Sequence, residues 1–174
     1  FNLLVFVKKD KTNTIALIMI ALLAGYQAME FLMCQVELQS SFFPYFAFII
    51  ISFLPPLNLI LTLSVIHSFD KKTYLVFIPA IFFTLYYSFV ISEFAVTSCT
   101  VLYASYHYPL GDLYGFFYYL PVLISIVFLI MYMAKHQEKQ KKIIARILLF
   151  GAVFISLPVL LGFTLMLFNN YSII

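Results

Sequence analysis

Residues 14–34 read TIALIMIALLAGYQAMEFLMC, an apolar run broken by a single charged side chain, Glu30. At about 1.5 Å per residue such a run crosses the roughly 30 Å of a bilayer's hydrocarbon. Runs of similar character follow at 43–67, 73–98, 114–134 and 144–168, separated by short polar breaks. The 174 residues are 64% hydrophobic, 20% aromatic and 10% charged, with a mean hydropathy of +1.06, a composition outside the range of water-soluble domains. Backbone polar groups in lipid are paired either within a helix or around a closed barrel, and continuous apolar runs argue against the alternating strands of a barrel. The expected fold class is all-α, a polytopic transmembrane helical bundle. It forms a single domain over 1–174 with five complete spans.

The stretch FNLLVFV at 1–7 is apolar but short, and charges follow it rather than precede it. It reads as the end of a truncated N-terminal span and not as a signal peptide, so the native chain is expected to hold six or more spans.

Charge gives the orientation. The ten basic residues are Lys8, Lys9, Lys11, Lys71, Lys72, Lys135, Lys139, Lys141, Lys142 and Arg146, and they occupy alternate breaks. The breaks near 35–42 and 99–113 have none. By the positive-inside rule the basic loops are cytoplasmic, the other two breaks face outward and the C-terminus lies outside. The protein is expected in a bacterial inner membrane, with the bilayer as its first partner. Its net charge of +3 belongs to these loops and implies no nucleic acid, and KHQEKQKK at 135–142 reads as a solvated helix end. His67 and His136 stand among the lysines and read as surface histidines.

The chain has no Trp, so Tyr must supply any interfacial belt. Tyr103, Tyr106, Tyr108, Tyr114, Tyr118 and Tyr119 crowd one outer loop and the helix after it, as a belt of headgroup-level anchors or as an aromatic ligand cluster. Tyr86 and Tyr87 fall near mid-span and need hydroxyl partners inside the bundle. Pro55 and Pro56, in FLPPLN, remove two backbone donors near the middle of the second span, which predicts a broken helix there. Such a break either lines a cavity or is a kink packed by its neighbours. Pro79 is expected only to bend its span, and Pro121 and Pro158 fall in the fourth and fifth.

Intramembrane carboxylates carry the functional signal. Glu30 lies roughly 10 Å beyond the midplane of its span, with Gln27 and Tyr26 one turn below. Glu93, counted along span 73–98, reaches a similar depth. A buried carboxylate is costly unless protonated, hydrogen-bonded, hydrated or cation-bound, and the outward breaks offer no basic residue to neutralise it. His107, in the outer loop, is the nearest titratable partner. The candidate site is Glu30, Glu93 and His107, with Gln27, Tyr106 and Asp112 around it. Two carboxylates and an imidazole could ligate a divalent metal or share a proton, and structural hydrogen bonding is the plainer alternative. Their spacing matches no metal motif, and the sequence names no cofactor. Cys34 and Cys99, the two cysteines, both fall at outer span ends, where they are either a disulfide in an oxidising space or two buried thiols. No nucleotide-binding loop, nucleophile elbow or CxxC motif occurs.

The pairing of GYQAMEF at 25–31 with HYPLGDLYGFFYYLP at 107–121 resembles a family of small polytopic bacterial membrane proteins of unknown function. Its members carry Gln-x-x-Glu in an early span, usually followed by Gly and then Trp, and a later outer His followed shortly by Tyr. Gln27, Glu30, His107 and Tyr108 match those positions. Phe31 replaces the small residue, Cys34 stands where Trp is expected, and the family's N-terminal Cys-Phe-Ser stretch is missing. The resemblance implies that Glu30 and His107 share one site and implies no activity.

Three functions compete. One is a binding or transport protein whose outward polar pocket takes a cation, proton or small ligand. Another is a non-catalytic accessory subunit, whose partners would be other membrane chains or further copies of itself. The third is an integral-membrane metalloenzyme using the same residues. The first is preferred by a small margin, and catalysis is not the leading expectation.

Overall fold

The computed structural model describes residues 10–36, 40–66, 68–93, 95–99, 104–107, 109–135 and 142–154. The expected N-terminal span end, the second half of the fifth span with Pro158, the histidines His67 and His136, and Tyr103 and Tyr108 lie outside the described residues.

Helix α1, Lys11–Cys34, starts at Asp10, whose extended backbone and carboxylate cap the helix by accepting from the Lys11 amide at 2.7 Å. The same device recurs at Asp70, which accepts from Lys71 N at 2.6 Å and opens a 3₁₀ turn, Lys71–Val76. That turn continues directly into α4, Phe77–Phe89. Short polar caps are what a helix leaving an aqueous boundary requires, because its first N–H groups have no intrahelical acceptor.

Between them the chain forms α2, Phe42–Ser52, and α3, Leu54–Val65, interrupted at Phe53. Pro55 and Pro56 fall in the first turn of α3, where their missing donors cost no helical bond. The proline pair therefore sets where the second span breaks, and Leu57 N resumes the ladder onto Phe53 O at 3.2 Å. Together α2 and α3 are the central element: 61% of their most apolar stretch is buried, against 6% for α1, 17% for Lys71–Phe89 and 22% for Leu113–Lys135. Helix α1 packs on α2 and α3, α2 on α4, and both α3 and α4 on α5, Gly111–Lys135. A sixth helix, α6, is described over 142–154. Lys11, Lys71, Lys72, Lys135 and Lys142 all stand at one end of the bundle, where Thr12 Oγ1 and Ser64 Oγ tie α1 to α3 at 2.8 Å.

The third span departs from expectation. The run 73–98 was expected to be helix throughout, but α4 stops at Phe89, a 3₁₀ turn covers Ile91–Glu93, and strand β1, Ala95–Cys99, pairs antiparallel with β2, Ala104–His107. The rungs are Ala95 with His107, Val96 with Tyr106, Ser98 with Ser105 and Cys99 with Ala104, with an irregularity between Val96 and Ser98. Hydropathy cannot separate helix from strand here, whereas side-chain branching can. Val90, Ile91, Val96, Thr97, Thr100 and Val101 crowd this stretch, and β-branched residues favour extended backbone. The described residues are thus helical with one added hairpin. Among the described residues four helices, Lys11–Cys34, Phe42–Val65, Lys71–Phe89 and Leu113–Lys135, are long and apolar enough to cross a membrane.

Two apolar clusters hold the bundle. At the basic end Leu59, Leu63 and Ile66 meet Leu129, Tyr132 and Ala145. At the hairpin end Phe48, Phe83, Tyr87 and Tyr114 form an aromatic core, in which the Phe48 ring lies 4.8 Å from Tyr87 edge-on and 4.6 Å from Tyr114. Tyr114 is therefore a core residue and not a headgroup-level anchor. Its hydroxyl shares a hydrogen bond of 2.9 Å with Ser52 Oγ, and Tyr118 packs partly buried beside it.

Candidate functional site

Glu30 occupies the last turn but one of α1 and is 8% exposed. Tyr26, one turn earlier on the same face, donates its hydroxyl to Glu30 Oε1 at 2.6 Å. A short O–H···O contact to a carboxylate is among the stronger hydrogen bonds a side chain makes. The helical repeat alone brings the two together, since residues four apart are neighbours on a helix surface. Gln27 parts from them: its side chain is exposed, rotated about 60° around the axis from Glu30 at 100° per residue. The two do not line one buried surface.

Cys34, one turn beyond Glu30, is disulfide-bonded, and Cys99 is the only other cysteine in the chain. The side chain of Cys99 lies outside the described residues, and its backbone forms the final rung of the hairpin, opposite Ala104. Glu93 is exposed in the 3₁₀ turn that follows α4, with its amide bonded to Val90 O at 2.9 Å. It does not lie on the helix along which its depth was counted, which ends at Phe89.

His107 faces Ala95 across the hairpin, two residues from Glu93 in register, and Tyr106 faces Val96. Glu93 and the His107 backbone therefore lie at the base of the hairpin, whereas its final rung, Cys99 with Ala104, is about 13 Å further along at ~3.4 Å per residue. The side chains of His107, Tyr106 and Asp112 lie outside the described residues. Among the described residues no three His, Cys, Asp or Glu side chains cluster as metal ligands.

A second polar locus lies at the proline break, where Ser52 stands close enough in the sequence to Pro55 and Pro56 to be expected as a partner for freed backbone groups. At the break between α2 and α3, Ser52 donates to Phe48 O at 2.7 Å and pairs with Tyr114. Beside it a crevice lined by Ser52, Pro56, Pro79, Phe83, Tyr114 and Tyr118 has a free interior of about 10 Å³, the room of one water molecule. The break is packed by its neighbours. FLPPLN signalled the break, but no sequence pattern linked Ser52 to a tyrosine more than sixty residues away.

Tyr87 donates to Pro109 O at the turn leading into α5. The next residue, Leu110, has φ of 57°, the left-handed conformation that a branched side chain resists. Position 110 joins the hairpin to α5, so this strained residue is pinned from the aromatic core.

The described residues define a helical protein with four helices long and apolar enough to cross a membrane, a two-stranded hairpin, and a buried carboxyl bonded to a tyrosine on the first helix. No family model, no curated protein and no solved structure matches the chain. The likeness noted above rests on Gln27, Glu30, His107 and Tyr108 alone.

Proposed function

We propose that the chain is an integral membrane protein with five spans, basic end in the cytoplasm, that binds a proton or small cation at Glu30 on its outward side. The observation that carries this reading is the buried Glu30 carboxyl with the Tyr26 hydroxyl on Oε1. A carboxyl shielded within apolar helices persists by taking a proton, a hydrogen bond or a cation. The described basic residues are at the other end of the bundle, too far to serve as its counter-charge. Membrane residence is supported by the outer surface itself: Phe82, Phe89, Phe116, Phe150 and Phe154 are exposed on successive helices, a surface that water does not tolerate.

The test is infrared difference spectroscopy of the protein in proteoliposomes as pH or cation is varied. A carboxyl band that responds, disappears in Glu30→Gln and moves in Tyr26→Phe is expected. Identical difference spectra for the wild type and Glu30→Gln would sink the reading. An accessory-subunit role is favoured by a different observation, the 6% burial of α1's apolar stretch. A helix that carries the site yet is barely covered by its own chain is suited to contact another one.

A further inference from the structure

The two apolar clusters divide three spans at their prolines. The second span gives Phe48 to the hairpin-end cluster and Leu59 and Leu63 to the basic-end cluster, and it breaks at Phe53, between them. The third gives Val76 to the basic end and Phe83 and Tyr87 to the hairpin end. Between these residues it changes from the 3₁₀ turn to α4 at Phe77, just before Pro79. Helix α5 gives Tyr114 and Tyr118 to the hairpin end and Leu129 and Tyr132 to the basic end, with Pro121 inside the helix between the two sets. Among the described residues the two clusters share no side chain.

The three discontinuities also meet at one level. Pro56, Pro79 and Phe117 line the crevice beside Ser52. Phe117 is the residue whose carbonyl loses its helical donor to Pro121, four positions on. Ser52 is deprived twice, because its carbonyl would take a helical donor from position 55 or 56 and both are proline. On α5 the Ser125 hydroxyl bonds back to Pro121 O at 2.7 Å, an arrangement that bends helices. Interrupted ladders are where helices kink, and a 3₁₀ stretch within a span is a recurrent mark of a hinge.

On either side of this level the structure is braced. Tyr45 of α2 donates to Thr84 O of α4 at 2.9 Å, Ser52 meets Tyr114 of α5, and Tyr87 holds Pro109 O. At the basic end Thr12 and Ser64 join α1 to α3. Packed interiors resist continuous deformation, so motion concentrates where packing and ladder are both interrupted. We infer that the crevice level is a hinge. The hairpin-end half, α2 with α4 and the first turns of α5, moves as one unit against α3, the remainder of α5 and α6, turning about Phe53, Phe77–Pro79 and Pro121. Helix α1, unbroken and packed on both α2 and α3, runs alongside as the rail. The hinge uses neither the orientation in a membrane nor the Glu30 carboxyl, so it and the proposed function fail separately.

Spin labels on introduced cysteines read the motion by pulsed dipolar spectroscopy of the full chain in nonionic detergent, with the native cysteine bridge intact. Leu85 and Phe116 are exposed on the hairpin-end half, and Tyr74 and Met131 on the basic-end half. Pairs within a half, Leu85→Cys with Phe116→Cys and Tyr74→Cys with Met131→Cys, should each give one narrow distance peak. Pairs across the crevice, Leu85→Cys with Met131→Cys and Tyr74→Cys with Phe116→Cys, should give a second peak or a widened one. Pro121→Ala, which returns a donor to Phe117 O, should narrow both cross-crevice distributions, and Pro79→Ala carries the same expectation where Pro121→Ala does not fold. Cross-crevice peaks as narrow as those within a half, equal widths at all four pairs, or cross-crevice widths indifferent to the proline replacements would each overturn the inference.

Discussion

Tyr26 and Glu30 are four residues apart, so a single helical turn is enough to seat a hydroxyl on a carboxyl oxygen. Tyr26→Phe removes that donor while keeping the ring, and stability is expected to fall by about 1–3 kcal/mol, read from chemical unfolding in detergent. Thr62 offers the opposite case. It is 1% exposed and its Oγ1 has no hydrogen-bond partner among the described residues. Thr62→Val keeps the shape, discards the unpaired hydroxyl, and should raise stability by up to about 1–2 kcal/mol in the same assay. Glu30 was legible because a lone carboxylate in an apolar run is conspicuous. Glu93 was misjudged because its depth was counted along a helix that ends at Phe89. Tyr114 was misjudged because a tyrosine at a helix start suits a headgroup belt and an aromatic core equally, and only the Ser52 partner, remote in sequence, decides between them.

At the scale of elements, the boundaries of α1 and α5 follow apolar runs closed by polar residues, and hydropathy was sufficient for both. Asp10 and Asp70 each cap a helix start with a carboxylate. Alanine at either position should cost about 1 kcal/mol, and the double variant should cost the sum because the caps serve separate helices. The α2–α3 break was legible from Pro55 and Pro56, since a proline's missing donor is written in the sequence itself. The hairpin was not, because hydropathy measures what a side chain prefers to be near and says little about backbone conformation. Branching at Val96, Thr97 and Val101 was the signal available.

For the whole molecule, a central broken span is flanked by α1, α4 and α5, and Cys34 at the end of α1 is disulfide-bonded. Replacing Cys34 and Cys99 together by alanine should lower stability by about 2–4 kcal/mol, since the bridge closes a long loop. Glu30 is buried among apolar side chains and Glu93 is exposed beyond the end of α4, a difference that carboxyl chemistry can read. The most direct measurement is carbodiimide labelling of the protein in its native membrane, mapped by mass spectrometry, with a lipid-soluble and a water-soluble reagent in parallel. The account predicts that Glu30 reacts with the lipid-soluble reagent alone and Glu93 with the water-soluble one. Reaction of Glu30 with the water-soluble reagent to the same extent as Glu93 would contradict it.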